Sequence, residues 1–433
     1  MRSPGIPACG KSAARMGPPD IRIGEWAQME RARDSLCLQA TAQRPIRVLV
    51  ADDSVVMRNI LRQVLTGPRD AALLSLPCME VCGMAADGLQ CLDRVRDLAP
   101  DLLLLDIEMP RLGGLGVLDE LRRTMPGLPV IVCSAMTEPG AAATLEALAR
   151  GAADYVTKPT NQSRLADSIA SLAGQLLPRV AALRRGRTSA ARSGGRPADL
   201  AARRPAVGIV VIGVSTGGPT ALERMLPLLP GDFAVPVVIV QHMPEVFTRV
   251  LSQRLRGRCP LGVEEAEQGA ELKPGGIWIA KGDWHVRVEA MRGRKAAAEA
   301  LGRQGAKMRG PAARLSLQQG EPENGCRPSV DQMFRSAARV FGEGVLGVVM
   351  TGMGCDGLEG ARAIRRAGGA MLAQDEATSA IWGMPRRVAE AGLANCVLPL
   401  ERIAEELVRR VGASPDASSG RGEQEAADGM FAG

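Results

Sequence analysis

Ile46–Asp53 reads IRVLVADD and runs directly into Ser54–Leu65, SVVMRNILRQVL. A continuous aliphatic run ending in two acids, then a segment with apolar residues three and four apart, is a buried strand feeding a helix. The alternation continues through EVCGMAAD (80–87), GLQCLDRVRDL (88–98) and DLLLLD (101–106), and on to Pro159. Strands alternating with helices predict βαβ units and a parallel sheet covered on both faces. A second series opens at Val207 with VGIVVIG and continues through AVPVVIVQH, GGIWIA, GVLGVVMTGMG and a last strand near AMLAQD, ending around Val411.

At 433 residues and 46% hydrophobic content, the chain has room for two ordinary cores with linkers. Residues 1–44 alternate Pro, Gly and charge without periodicity and are expected to be a disordered extension. The first α/β domain is then 45–165, a Gly, Ser, Pro and Arg-rich linker 166–205, the second α/β domain 206–412, and a flexible tail 413–433. Ten cysteines are scattered from Cys9 to Cys396, and no apolar segment behind a basic one marks a secretory signal, so a reducing cytoplasm is expected. Cys78 and Cys82 have no second ligand pair near them in sequence, so no zinc site is expected there. The longest apolar runs are far short of the roughly 20 residues that span a bilayer, which excludes membrane insertion.

The net charge of +7 sits largely in two low-complexity stretches, 179–204 and 291–309, and only 2% of residues are aromatic. Base stacking has almost nothing to work with, so nucleic-acid binding is not expected.

Ligands of open parallel sheets gather outside the carboxyl ends of the strands. Asp52, Asp53 and Asp106 fall at such ends; clustered carboxylates repel unless a cation compensates, and hard oxygen donors suit Mg²⁺. Ser134 ends VIVCS and Lys158 ends ADYVTK, where a hydroxyl and an ammonium can hold the oxygens of a phosphoryl group on Asp106.

In the second series Gly213-Val214-Ser215-Thr216-Gly217 joins a strand to a helix led by Pro219. Gly-x-Ser-x-Gly at that junction is a nucleophile elbow, although Gly-rich turns of this kind also bind phosphates. The whole chain has two histidines, His242 and His285. A serine nucleophile needs a base near neutral pH, and His242, at the end of VPVVIVQ, is placed for that; His285, in a hairpin or loop, is the weaker candidate. An orienting acid at a third strand end is met by Asp356, with Asp375 as a rival that caps a turn.

The order of acidic pair, Asp-x-x-x-Pro, Ser and Lys-Pro resembles the receiver domains of two-component systems. That resemblance implies that Asp106 accepts a phosphoryl group, that Asp52 and Asp53 help bind Mg²⁺, and that Ser134, Tyr155 and Lys158 report phosphorylation. STGGP, QHMP, SVDQMFRSAA, TGMGCDG and AQDEATSAIWGMP resemble the chemotaxis protein-glutamate methylesterase family over about 200 residues. The two likenesses imply an N-terminal flavodoxin-like receiver domain and a C-terminal doubly wound parallel-sheet methylesterase domain. They imply Ser215 as nucleophile, His242 as base, Asp356 as its orienter, Thr216 and Met353 beside the oxyanion site, and no cofactor for the hydrolase. The expected partners are methyl-accepting chemoreceptors as substrate and a chemosensory histidine kinase as phosphodonor, with the chain a monomer. Many members of the family also deamidate receptor glutamines. Trp278 and Lys281 stand where the family commonly has Tyr and Pro, and the basic segment 291–309 is longer than expected.

Two other readings stay open on the residues: a regulator with a DNA-binding output, which lacks a visible helix-turn-helix, and a small-molecule esterase using the same three groups.

Overall fold

The computed structural model describes residues 44–69, 73–159, 165–186, 206–291 and 310–412. The extension, the tail, the second half of the expected linker and the basic segment 292–309 lie outside the described residues.

Strands β1 (Ile46–Ala51), β2 (Met79–Ala85), β3 (Leu102–Asp106), β4 (Val130–Ser134) and β5 (Asp154–Thr157) form a five-stranded sheet in the order β2-β1-β3-β4-β5. Every pairing is parallel. β3 and β4 are buried along their whole length, as strands with helices on both faces must be. The first helix, Val55–Thr66, is started by Ser54, whose hydroxyl accepts from the Met57 N–H, and it buries Met57, Leu61, Val64 and Leu65.

The second sheet contains β6 (Ile209–Val214), β7 (Val237–Gln241), β8 (Gly262–Glu265), β9 (Gly276–Ile279), β12 (Val345–Val349), β13 (Ala370–Gln374) and β14 (Cys396–Leu398). Their order, β14-β13-β12-β6-β7-β9-β8, is parallel throughout and reverses direction of winding at β6. That reversal is the crevice at which such sheets hold ligands. A two-stranded antiparallel ribbon, β10 (His285–Ala290) with β11 (Ala313–Gln318), packs on helix Val330–Phe341. Both sheets match the expected α/β architecture. β8 and β14 are not foreseeable from the sequence: at four and three residues they are too short to show a period.

The stretch expected as linker begins as a 22-residue helix, Leu165–Gly186. Leu172, Leu176, Leu177, Val180 and Ala181 are buried against the first sheet, so apolar packing outweighs the helix-breaking tendency of Pro178. Cys78 is disulfide-bonded, not a thiol, and seven other described cysteines are free.

The two sheets' layers share apolar contact. Helix Glu138–Ala149 of the first packs on helix Glu245–Arg256 of the second. The rings of Tyr155 and Phe247 stack with centroids 4.8 Å apart, and Arg254 binds Glu146 at 2.9 Å.

Candidate functional site

At the carboxyl edge of the first sheet, Lys158 Nζ lies 2.8 Å from Asp106 Oδ2 and 3.0 Å from Asp52 Oδ2. Asp52 and Asp106 are buried while Asp53 is exposed, and one oxygen of each lies within 4.8 Å of the others. Asp52 Oδ2 is buried, and among the described residues the ammonium is its sole compensation. A buried carboxylate oxygen with a single cationic partner, close to two more carboxylates, is part of a donor set that fits a hard cation. Burial pushes the Asp106 carboxyl up, and the hydrogen bond and charge of Lys158 oppose this. Among the described residues no hydrogen bond joins Ser134 to Asp106: its hydroxyl donates to Gly140 O at 3.2 Å and accepts from Thr144 Oγ1 at 2.5 Å. Tyr155 is turned away into the Phe247 stack.

At the crevice of the second sheet, β6 ends at Val214 and the chain turns through Ser215, Thr216 and Gly217 into helix Gly218–Met225. The turn demands φ +77° at Gly217, where a Cβ would also stand 2.5 Å from Ala380 Cβ; only glycine fits. The Ser215 carbonyl is held by Gly218 N–H and Gln241 Nε2, and its N–H donates to Thr351 O, so the serine backbone is fixed on three sides. Among the described residues neither the Thr216 nor the Met353 backbone N–H makes a hydrogen bond. Gly352 passes so close that a Cβ there would be 2.8 Å from Ser215 Cβ.

His242 follows β7, paired with β6, and its N–H donates to Val214 O, which sets it beside Ser215 at the next strand end. Its Nε2 lies 2.9 Å from Asp356 Oδ2. Asp356 is the most heavily hydrogen-bonded carboxylate of the crevice: it accepts from Ser329 Oγ and from the N–H groups of Val330, Asp331 and Gly357. Burial acts against ionisation of Asp356, but these donors and the imidazole win and hold its pKa down at about 2. Burial likewise disfavours the imidazolium, yet the bonds to Asp356 and Cys326 outweigh it and push His242 up to about 9, not the ordinary 6.5. The other ring nitrogen, Nδ1, faces Cys326 Sγ at 3.6 Å, and among the described residues no hydrogen bond joins it to Ser215.

Several neighbours carry no signal in the sequence. Asn324 Nδ2 donates both to Asp331 Oδ2 at 2.9 Å and to Asp356 Oδ1 at 3.2 Å, so one amide bridges two carboxylates. Asp331 is pushed up to about 6 by burial and by the charge of Asp356. Thr216 turns its hydroxyl to Asp154 Oδ2 of β5, which also binds Arg179 Nε. Met353 packs against the apolar cluster containing Leu172, Leu176 and Ile381. No sequence spacing announces these contacts. The two rivals are engaged elsewhere: His285 is buried, accepts from Ser329 N–H and meets Glu321 O, and Asp375 accepts from the N–H and hydroxyl of Thr378 in a turn. Lys281 pairs with Glu245 at 3.0 Å, and Trp278 is buried in the core.

Residues 210–407 match the CheB methylesterase family and residues 48–170 the response regulator receiver domain family. The chain is 42% identical over 374 residues to a protein-glutamate methylesterase/protein-glutamine glutaminase of Trichodesmium erythraeum, covering 84% of this chain and 99% of that one. It is 38% identical over 370 residues to the protein of the same description from Thermotoga maritima, covering 85% and 99%. Among solved structures it is similar to the Thermotoga maritima CheB methylesterase catalytic domain, with 39% identity, a TM-score of 0.42, and 47% of this chain and 98% of that one covered.

Proposed function

Since the chain belongs to the CheB methylesterase family, protein-glutamate methylesterase/protein-glutamine glutaminases that here carry a receiver domain, we propose that Ser215, His242 and Asp356 hydrolyse glutamate methyl esters of chemoreceptors. Ser215 Oγ attacks the ester carbonyl and passes its proton to His242; the imidazolium returns it to the departing methanol, and water clears the acyl-enzyme by the same route. With Nε2–H donated to Asp356, Nδ1 is the nitrogen left to act as base. The Nδ1 to Ser215 hydrogen bond forms when substrate draws the serine rotamer inward, a tightening common on forming the Michaelis complex. The unpaired N–H groups of Thr216 and Met353 are the donors on hand for the oxyanion, and losing one such donor costs on the order of 3 to 4 kcal/mol of barrier. Glutamine deamidation uses the same steps with ammonia as leaving group.

The observation that carries this reading is the 2.9 Å contact of His242 with a carboxylate held by five further protein donors, beside a serine whose backbone is fixed. Ser215→Ala should abolish methanol release from a methylated receptor fragment while the circular dichroism and melting curve stay those of the parent. Retained release would reject the assignment. A generic ester hydrolysed faster than the receptor fragment would favour a small-molecule esterase.

Control by the receiver is the second part of the proposal. Asp106 takes a phosphoryl group from a histidine kinase; Asp52, Asp53 and Asp106 would hold Mg²⁺, which would supply neutralising charge for the transfer. Before phosphorylation the receiver side covers the crevice: Thr216 is bound by Asp154, and Met353 is packed against the cluster that contains helix Leu165–Gly186. About two added negative charges beside Lys158 would shift the population to an uncovered state. A truncated chain starting at Val207 should release methanol faster than the unphosphorylated whole; equal rates would reject the cover.

A further inference from the structure

We propose that Cys326 Sγ and His242 Nδ1 form an inhibitory site for a borderline-soft divalent cation such as Zn²⁺. The inference rests on the reading of His242 as the base only for its inhibitory consequence; the site itself stands on geometry. An ion about 2.3 Å from a thiolate and about 2.0 to 2.1 Å from an imidazole nitrogen, at a tetrahedral angle, holds the two ligand atoms about 3.5 to 3.6 Å apart. Sγ and Nδ1 are 3.6 Å apart.

The surroundings prepare these two atoms for a metal. Asp356 accepts at Nε2, the arrangement in which a carboxylate fixes the tautomer of a metal-ligating histidine and leaves the lone pair on the far nitrogen free to coordinate. Cys326 is held in a tight turn by paired hydrogen bonds between its backbone and that of Glu323, while Glu323 is tied to Arg335 at 2.6 Å. The thiol's other neighbour is the Asn324 carbonyl at 3.6 Å, a weak acceptor that coordination would replace. Cys326, His242 and Asp356 together present sulfur, nitrogen and oxygen donors within 4.8 Å of one another. Sulfur and imidazole select zinc-like ions over Mg²⁺, whereas the receiver's three carboxylates suit Mg²⁺, and an excess of that ion keeps them occupied. On binding, the Cys326 thiol proton goes to solvent, as does the Nδ1 proton when the imidazole is charged; Zn–S and Zn–N bonds form, and four of the six waters leave the ion, two completing the tetrahedron. The lone pair that would take the Ser215 proton is then engaged.

The test uses the full chain in excess Mg²⁺, titrated with CoCl₂ for spectroscopy and ZnCl₂ for methanol release. Co²⁺ should give a sulfur-to-metal charge-transfer band in the near ultraviolet that is absent from Cys326→Ser and Cys326→Ala but kept in Cys355→Ser, a neighbouring exposed thiol. Zn²⁺ should lower methanol release by about tenfold or more at micromolar concentration, reversibly by chelation, with each cysteine variant compared with its own metal-free rate. Inhibition and band both lost with Cys326 support the site. A band that survives both Cys326 variants, no band at all, or a band without inhibition overturns the proposal. If no ester hydrolysis is found in any form, the band still decides whether the site exists, so failure of the hydrolase reading is separable.

Discussion

Thr216 Oγ1 donates to Asp154 Oδ2 at 2.8 Å, binding the residue after Ser215 to the edge strand of the receiver sheet. Asp154 is buried and shared with Arg179, so the contact is a hydrogen bond to a guanidinium-paired carboxylate in a dry setting, the stronger kind. Replacing the carboxylate by an amide keeps the shape and weakens the bond by about 1 kcal/mol, roughly a fivefold change in an equilibrium. Asp154→Asn should therefore raise methanol release without a phosphodonor several-fold and shrink the phosphodonor's stimulation by the same factor. An unchanged basal rate would make the contact simple packing.

Lys158 stands between two buried carboxylates, so removing it leaves two like charges facing each other. Breaking a buried pair costs about 3 to 5 kcal/mol; Lys158 is a quarter exposed, so about 1 to 3 is expected. Lys158→Ala should melt several degrees lower near neutral pH, and millimolar Mg²⁺ should restore more of the loss than it adds to the parent. A melting curve indifferent to Mg²⁺ in both proteins would count against a cation at Asp52, Asp53 and Asp106. Asp106→Asn should remove phosphodonor stimulation and leave basal release.

Asn324 places one amide between Asp331 and Asp356. Without it the two carboxylates face each other with fewer donors. Because Asn324 is exposed, the loss is expected to be about 1 kcal/mol of stability, below the roughly 1.5 to 3 kcal/mol of buried bonds to charged groups. Asn324→Ala should also lower kcat more than it raises KM, since it disturbs the acid that orients His242 and does not touch the substrate. A change in KM alone would place Asn324 in substrate binding.

The strand ends are legible in the sequence because buried parallel strands are continuous aliphatic runs, and chemistry gathers at the residues just beyond the end of such a run. Asp52, Asp106, Ser215 and His242 stand at such ends, and Asp356 follows β12 after a Gly-containing loop. Contacts between segments far apart carry no such mark. Asp154 lies inside a strand motif and Asn324 in a Gly-containing turn, so neither shows its partner. Ser134 ends its strand as expected, yet the helix after it claims its hydroxyl. Helix Leu165–Gly186 is hidden because its later turns merge into an Arg-rich stretch, and its apolar stripe shows only against the sheet that covers it.

The His242–Asp356 pair makes activity and stability respond oppositely to pH. His242 is the group raised, to about 9 from 6.5, so folding favours its proton: that stabilisation is complete below about pH 6.5 and is lost as pH rises through about 9. Asp356 is lowered to about 2 from 3.8, so its contribution is present above about pH 4 and lost only on strong acidification. A histidine shift of this size corresponds to something on the order of 3 kcal/mol. The base must be unprotonated to accept from Ser215, so kcat/KM should rise between pH 6.5 and 9 while the melting temperature falls. In His242→Gln the melting temperature should be nearly level over that window. Cys326→Ser removes one of the contacts that raise His242, so its acid limb should move to lower pH. An acid limb centred at or below 6.5 in the parent, with melting independent of pH, would mean that the imidazole and Asp356 are not coupled in solution as they are in the structure.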